Sequence, residues 1–174
     1  MPAYDRATIV FARLAEVGQA DIIELMNHPL VRRHMPLARG GFGPAECDRF
    51  VAAKERLWEE HGYGPWAFII DGEFAGWGGI QSEGGDADVG LVLHPKHWGA
   101  GRVLYERIIA FAFRELGFSS VIALLPPSRT RVSGMLKLGF RPDGEMAVAG
   151  ERFIRYRLMA PQGTALSSKR PTSG

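Results

Sequence analysis

A glycine-rich turn at residues 94–101 is the part of this sequence best suited to bind a ligand. An apolar strand pattern precedes the turn, Gly99 and Gly101 lie within it, and an apolar helical pattern follows directly. The first turn of a helix has backbone N–H groups without intrahelical partners, and the helix dipole adds about half a positive charge there. Such a turn attracts phosphate groups. The sequence therefore predicts a site for a phosphate-bearing cofactor.

Two known phosphate-binding patterns do not fit this turn. A P-loop needs a lysine and a hydroxyl residue after its last glycine, and Arg102 and Val103 stand there instead. A dinucleotide fingerprint needs a third glycine inside a parallel βαβ unit, but Leu104 occupies that position and the preceding strands form an antiparallel meander. From these residues alone, an ordinary strand-to-helix turn without a ligand remains open.

His94 and His97 are spaced like two possible metal ligands. Pro95 interrupts regular backbone geometry between them, and the sequence offers no evident third ligand. Since a zinc site uses three or four protein ligands, the sequence predicts no metal site.

The elements around the turn predict a mixed α/β domain in the order β-α-α-β-β-β-α-β-α-β. Three strands at residues 65–70, 74–81 and 87–93 follow one another through tight turns, the first at Asp71 and Gly72, and form the meander. A helix is expected at Pro44–His61 and another at residues 101–116. The remaining elements are strands at 8–11, 121–125 and 152–159 and helical pieces at 15–27, 30–34 and 128–138.

Composition indicates one ordinary globular domain. The chain has 174 residues, of which 46% are hydrophobic and 23% charged, and its net charge is +2. So small a charge gives no strong attraction to nucleic acid or to a membrane surface. The single Cys47 excludes an internal disulfide, and no apolar run reaches the roughly 20 residues that span a bilayer. We expect a cytoplasmic protein with one domain at residues 1–159 and a disordered polar tail at 160–174.

Four motifs in order resemble one family. Residues 96–101 read Lys-x-x-Gly-x-Gly, and residues 98–101 read Trp-Gly-Ala-Gly. Residues 27–36 read Asn-His-Pro-Leu-Val-Arg-Arg-His-Met-Pro, and residues 67–76 read Ala-Phe-Ile-Ile-Asp-Gly-Glu-Phe-Ala-Gly. Together they resemble the GNAT-superfamily N-acetyltransferases, in particular the RimJ/RimL-like branch, over roughly residues 7–158. The resemblance implies a mixed, mostly antiparallel sheet of about six to seven strands, flanked by about four helices and splayed between strands 4 and 5.

The resemblance also implies acetyl-CoA as cosubstrate, with no metal. In the family, backbone N–H groups of the glycine turn hold the CoA pyrophosphate, and the strand before it pairs with the pantetheine arm. Gly99 and Gly101 are then expected to allow close approach and unusual backbone angles. Ser128 stands where the family often has an asparagine that contacts pantetheine; an N-cap role explains it equally well. The implied cofactor-binding residues are Leu91, Val92, Leu93, Lys96, His97, Trp98, Gly99, Ala100, Gly101, Arg102, Val103 and Ser128.

The implied reaction is direct attack of an amine on the thioester in a ternary complex. Asp88 is the leading candidate for the base, because the branch usually carries an acidic residue there, and Glu83 is the second. Strand alternation places Asp88, Gly90 and Val92 on one face. The acceptor is a small-molecule amine or a peptide N-terminus, and homodimers are common in the family. A non-catalytic CoA-binding domain is the alternative, since the family's occasional tyrosine acid has no match here.

Overall fold

A seven-stranded sheet forms the centre of the molecule. The computed structural model describes residues 4–38 and 40–162. The strand order is β1-β2-β3-β4-β5-β7-β6, with every neighbouring pair antiparallel except β4 and β5. The strands are β1 (Ile9–Ala12), β2 (Pro65–Ile70), β3 (Glu73–Glu83), β4 (Asp86–Leu93), β5 (Ser120–Leu125), β6 (Arg141–Val148) and β7 (Glu151–Met159).

Five α-helices accompany the sheet within the described residues. They are α1 (Gln19–Asn27), α2 (Pro29–Arg32), α3 (Pro44–His61), α4 (Gly101–Arg114) and α5 (Ser133–Lys137). Two 3₁₀ helices, Leu14–Glu16 and Pro95–Ala100, precede α1 and α4. Pro44 suits the first helical position of α3, since its fixed φ matches the helix and its missing N–H is not needed there.

The apolar residues form two cores. Phe68, Ile80, Leu104 and Ile108 belong to the core that includes α4. Leu14, Ile22, Leu25 and Trp77 belong to the core that includes α1 and the N-terminal half of α3. Because successive strand residues point to opposite faces, the neighbours Ala67 and Phe68 go to different cores. The sheet is thus covered on both faces, as its largely apolar strands require.

The strands β4 and β5 diverge, as the family resemblance implies. They share one paired position, Asp88 with Ile122, whereas β3 and β4 are paired from Gly76–Leu93 to Glu83–Asp86. The mostly antiparallel sheet and its flanking helices agree with the expected fold class.

The structure differs from the expected elements at three places. The helix predicted at residues 15–27 is interrupted, because the chain is extended at Val17 and α1 begins after Gly18. The helix predicted at 128–138 is shorter: Pro126 and Pro127 are followed by a turn, and α5 begins at Ser133. The strand β6 was not predicted. It forms a hairpin with β7 through Ala149 and Gly150, whose φ values of 49° and 80° match a tight hairpin turn.

Candidate active site

Asp88 lies where β4 and β5 meet. It is partly buried and stands opposite Gln81 of β3, so the two side chains lie on the same face of the sheet. Burial, followed by repulsion from Glu83, raises the pKa of Asp88 to about 7; a backbone hydrogen bond from Leu124 and the charge of Lys54 act in the opposite direction. A carboxyl group with this pKa can accept a proton near neutral pH. The structure therefore gives the leading candidate the property that a general base needs.

Lys54 of α3 reaches the same face of the sheet. Its ammonium Nζ donates to Gln81 Oε1 at 3.0 Å. It also lies 4.9 Å from the centre of the Trp77 ring and 5.5 Å from that of Phe50, which is cation–π distance. Burial lowers the pKa of Lys54, while Asp88 opposes that shift. We call these five residues, Phe50, Lys54, Trp77, Gln81 and Asp88, the Asp88 cluster.

The Asp88 cluster has an aromatic wall. The rings of Phe50 and Trp77 meet edge to face with centres 5.0 Å apart. Trp77 is 7% exposed, and its indole N–H points at Met26 Sδ at 3.4 Å. Trp66, on the neighbouring strand, packs instead against Phe111 of α4 in the other core. Trp77 therefore lies on the face of the sheet that carries Asp88, and Trp66 lies on the other face.

Glu83, the second candidate base, lies at the end of β3. It is paired with Asp86 across the β3–β4 ladder, and its charge raises the pKa of Asp88. Asp86 itself is held by the Arg157 guanidinium at 2.8 Å and 3.1 Å, which keeps the pKa of that carboxyl low. Glu83 is thus close enough to raise the pKa of Asp88, whereas Asp86 forms an ion pair with Arg157.

The glycine turn has a more regular conformation than the sequence predicted. Pro95–Ala100 is a 3₁₀ helix that continues into α4. The N–H of His97 donates to His94 O at 2.8 Å, and that of Gly101 donates to Trp98 O. The indole of Trp98 donates to Leu93 O at 3.0 Å. The N–H groups of His97 and Gly101 therefore have acceptors within the turn, because Pro95 starts a helix there.

The two glycines of the turn do not have unusual backbone angles. Gly101 has φ −53° and ψ −44°, and Gly99 does not have a positive φ. At Gly99 the close approach comes from Tyr4, since an added Cβ would lie 3.1 Å from the Tyr4 ring. Tyr4 also donates its hydroxyl to Lys96 O at 3.1 Å. Glycine at position 99 thus makes room for the N-terminal segment.

Lys96 forms an ion pair with Glu73 of β3. This pairing raises the pKa of Lys96 and lowers that of Glu73. His97 Nε2 lies 3.4 Å from the same carboxylate. His94 instead lies 3.6 Å from Glu24 and against the ring of His28. The two histidines therefore have different partners, and the described part of the chain contains no group of three or more His, Cys, Asp or Glu that could hold a metal ion.

The other expected cofactor-binding residues lie on β4, in the turn after it, at the start of α4 and in the segment before α5. Leu91 and Val92 lie on β4 opposite Gly78 and Trp77, and Ala100 is fully buried. Arg102 pairs with Glu106 at 3.0 Å, and Val103 follows it in α4. Ser128 is exposed, and since Val132 is the N-cap of α5, the N-cap explanation of Ser128 is wrong. Residues 163–174 of the predicted tail lie outside the described residues.

Sequence reasoning missed Lys54. The sequence pattern of α3 predicts an apolar face that includes Phe50, Ala53 and Leu57. Lys54 follows Phe50 by four residues, so the two lie on the same face of the helix. A charged residue on an apolar helix face was the signal that could have found it.

A diverging pair of strands, a helix that starts after the first of them and a carboxyl group between them form the arrangement that the family resemblance implied. The GNAT acetyltransferase domain model matches residues 9–141, and the chain therefore belongs to the GNAT acetyltransferase family. Acetyl-CoA is the cosubstrate of this family. Within the described residues, no helix is both long and apolar enough to cross a membrane.

Solved structures share this fold. An acetyltransferase from Agrobacterium tumefaciens is 17% identical with a TM-score of 0.72, over 87% of this chain and 91% of that one. A GNAT-family acetyltransferase from Bacillus anthracis is 18% identical with a TM-score of 0.69, over 89% and 95%. The structure of yncA from Salmonella typhimurium, which contains its cofactor acetyl-CoA, is 24% identical with a TM-score of 0.66, over 94% and 99%.

Proposed function

We propose that this protein is an N-acetyltransferase that moves the acetyl group of acetyl-CoA to a primary amine. The acceptor is a small molecule or a protein N-terminus, and the amine attacks the thioester directly in a ternary complex. The observation that carries the proposal is Asp88, a partly buried carboxyl group with a pKa of about 7 at the point where β4 and β5 meet. We assign the reaction to the cytoplasm and the chain to the RimJ/RimL-like branch, on the motifs at residues 27–36, 67–76 and 98–101.

Asp88 acts as the base in the proposed reaction. An alkyl amine is mostly protonated at neutral pH, so it must lose a proton before its nitrogen can attack the thioester carbonyl. Asp88 accepts that proton, the new C–N bond forms and the C–S bond breaks, and the leaving thiolate takes up the second proton that the nitrogen loses as the amide forms. Holding both reactants in place supplies much of the rate acceleration. Glu83 supports Asp88 by raising its pKa and is the alternative base.

The path from β4 to α5 holds acetyl-CoA in this proposal. The edge of β4 at Leu91, Val92 and Leu93 pairs with the pantetheine arm, and the start of α4 attracts the pyrophosphate through its dipole. Lys96 has a partner in Glu73, so its contribution to the pyrophosphate is small while that ion pair persists. The remaining proposed contacts come from His97, Trp98, Gly99, Ala100, Gly101, Arg102, Val103 and Ser128.

The test separates an enzyme from a CoA-binding domain. The protein is incubated with acetyl-CoA and a panel of amino acids, peptides, polyamines and aminoglycosides, and free thiol is measured. We expect thiol release that depends on at least one amine. Thermal stabilisation by acetyl-CoA without thiol release from any amine contradicts the proposal and favours a non-catalytic domain. Sedimentation of the same protein tests the expected homodimer.

A further inference from the structure

The ammonium group of Lys54 has N–H donors that are not used within the described residues. An ammonium group has three N–H donors, and Lys54 makes one hydrogen bond, to the neutral amide of Gln81. Among residues 4–38 and 40–162, no carboxylate lies within the 4.0 Å of an ion pair with it. Lys96, by contrast, is paired with Glu73. Lys54 is thus a partly buried cation with donors available on the face that carries Asp88.

Burial lowers the pKa of Lys54, but two features of its surroundings favour the ammonium form without filling its hydrogen bonds. The ring faces of Trp77 and Phe50 attract a cation, and the negative charge of Asp88 favours the ammonium form. A partly desolvated cation held in this way gains energy from an anion that accepts its remaining N–H groups. An anionic group of the acceptor suits this position.

The acceptor should carry charges that complement those of Asp88 and Lys54. We propose that the acceptor is a zwitterionic amine, such as a free amino acid, whose carboxylate binds Lys54 while its amine faces Asp88. This inference rests on the proposed function. A carboxylate and a cation side by side match a ligand that carries one positive and one negative group. A polyamine would bring a second positive charge against Lys54, and a peptide N-terminus has a neutral amide where an amino acid has its carboxylate.

The test compares acceptors that differ only in the carboxylate. For several side chains, kcat/KM is measured for the L-amino acid, its amide and its decarboxylated amine, using wild type, Lys54→Met and Lys54→Arg. We expect wild type to prefer the acid over the amide at least tenfold. In Lys54→Met this ratio falls ten- to hundredfold, mainly through KM, as loss of a charged hydrogen bond predicts. Lys54→Arg keeps most of the preference.

Two features of the design isolate Lys54. An amide has a less basic α-amine than its acid, so the quantity of interest is the change of the ratio between variants, which this difference does not affect. Removing Lys54 also acts on Asp88, but that slows all acceptors alike and leaves the ratio unchanged. Lys137 is exposed on α5, and Lys137→Met is the matched control with an unchanged ratio.

The outcomes distinguish this inference from the proposed function. If Lys54→Met slows acid and amide equally, or if wild type prefers the amide, the zwitterion inference is wrong while the acetyltransferase stands. If acetyl-CoA stabilises the protein but no amine releases thiol in any variant, the proposed function is wrong, and the acceptor inference falls with it.

Discussion

At its C-terminal end, β4 leads into a turn whose backbone conformation rests on local hydrogen bonds, although Lys96 and His97 also contact Glu73 and Tyr4. His94 Nδ1 accepts from Lys96 N–H, and Trp98 donates to Leu93 O. Asp88 lies toward the other end of β4. It stands opposite Gln81 of β3, has a backbone hydrogen bond with Leu124 of β5 and is influenced by the charge of Lys54 of α3. A short sequence motif therefore accounts for the backbone of the turn, whereas the surroundings of Asp88 are assembled from several distant elements. The difference teaches that a motif can reveal the turn, whereas the neighbours of Asp88 become visible only in the fold.

Removal of the proposed base should have the largest effect, and it should act at the Asp88 end of β4 but not at the turn end. We expect Asp88→Asn to lower kcat about 10²- to 10⁴-fold, the usual contribution of a general base. The Kd for acetyl-CoA should change little, since the turn end does not depend on Asp88. Thiol release and calorimetry measure the two quantities. Loss of acetyl-CoA binding in this variant would contradict the separation, and loss of turnover in Glu83→Gln but not in Asp88→Asn would make Glu83 the base.

Thermal unfolding at several pH values is the control for this variant. The pKa of Asp88 is about 7 in the folded protein against an ordinary 3.8, so the folded state binds the proton more tightly than the unfolded state. Ionisation of Asp88 therefore costs stability as the pH rises from about 4 to 7, with an upper limit of about 4 kcal/mol. Asp88→Asn lacks that cost, and should be more stable than wild type at pH 8 but not at pH 4.

The pH dependence of turnover tests the charges around Asp88. With acceptor held far below KM, kcat/KM should rise through about pH 7 and be about tenfold lower at pH 6 than on the plateau. This limb should keep its position for acceptors whose amines differ in pKa. Glu83→Gln removes a repulsion and should move it to lower pH, whereas Lys54→Met removes an attraction and should move it to higher pH. A limb that follows only the acceptor's own pKa would contradict the role of Asp88.

Crowding the glycine turn should give the smallest effect, and this effect should be on acetyl-CoA binding at the turn end of β4. Gly99→Ala places a methyl group 3.1 Å from the Tyr4 ring, and we expect a severalfold higher Kd for acetyl-CoA, an effect below about 1.4 kcal/mol. The double variant Gly99→Ala with Tyr4→Ser should recover the wild-type affinity. Gly41→Ala is the matched control, because an added Cβ at Gly41 meets nothing within 4 Å. An unchanged Kd in Gly99→Ala would show that Tyr4 moves freely.

The sequence predicted the meander, the long helices and the position of Asp88, since each leaves a periodic or family pattern. It did not predict Lys54 at the site, because α3 reaches Gln81 only through packing of distant elements. It also predicted unusual backbone angles at Gly99 and Gly101, whereas Pro95 starts a 3₁₀ helix after which Gly101 has ordinary helical angles. The strand β6 was missed although Ala149 and Gly150 mark a hairpin, because polar residues and Pro142 and Gly144 weaken its strand pattern.

The single shared position of β4 and β5 has a consequence for the stability of the protein. Where the two strands part, each presents an inner edge, and open strand edges favour self-association. A small molecule that bridges those edges joins the two halves of the sheet and protects them by mass action. With acetyl-CoA bound there as proposed, the stability of the protein should rise with the concentration of its own acyl donor.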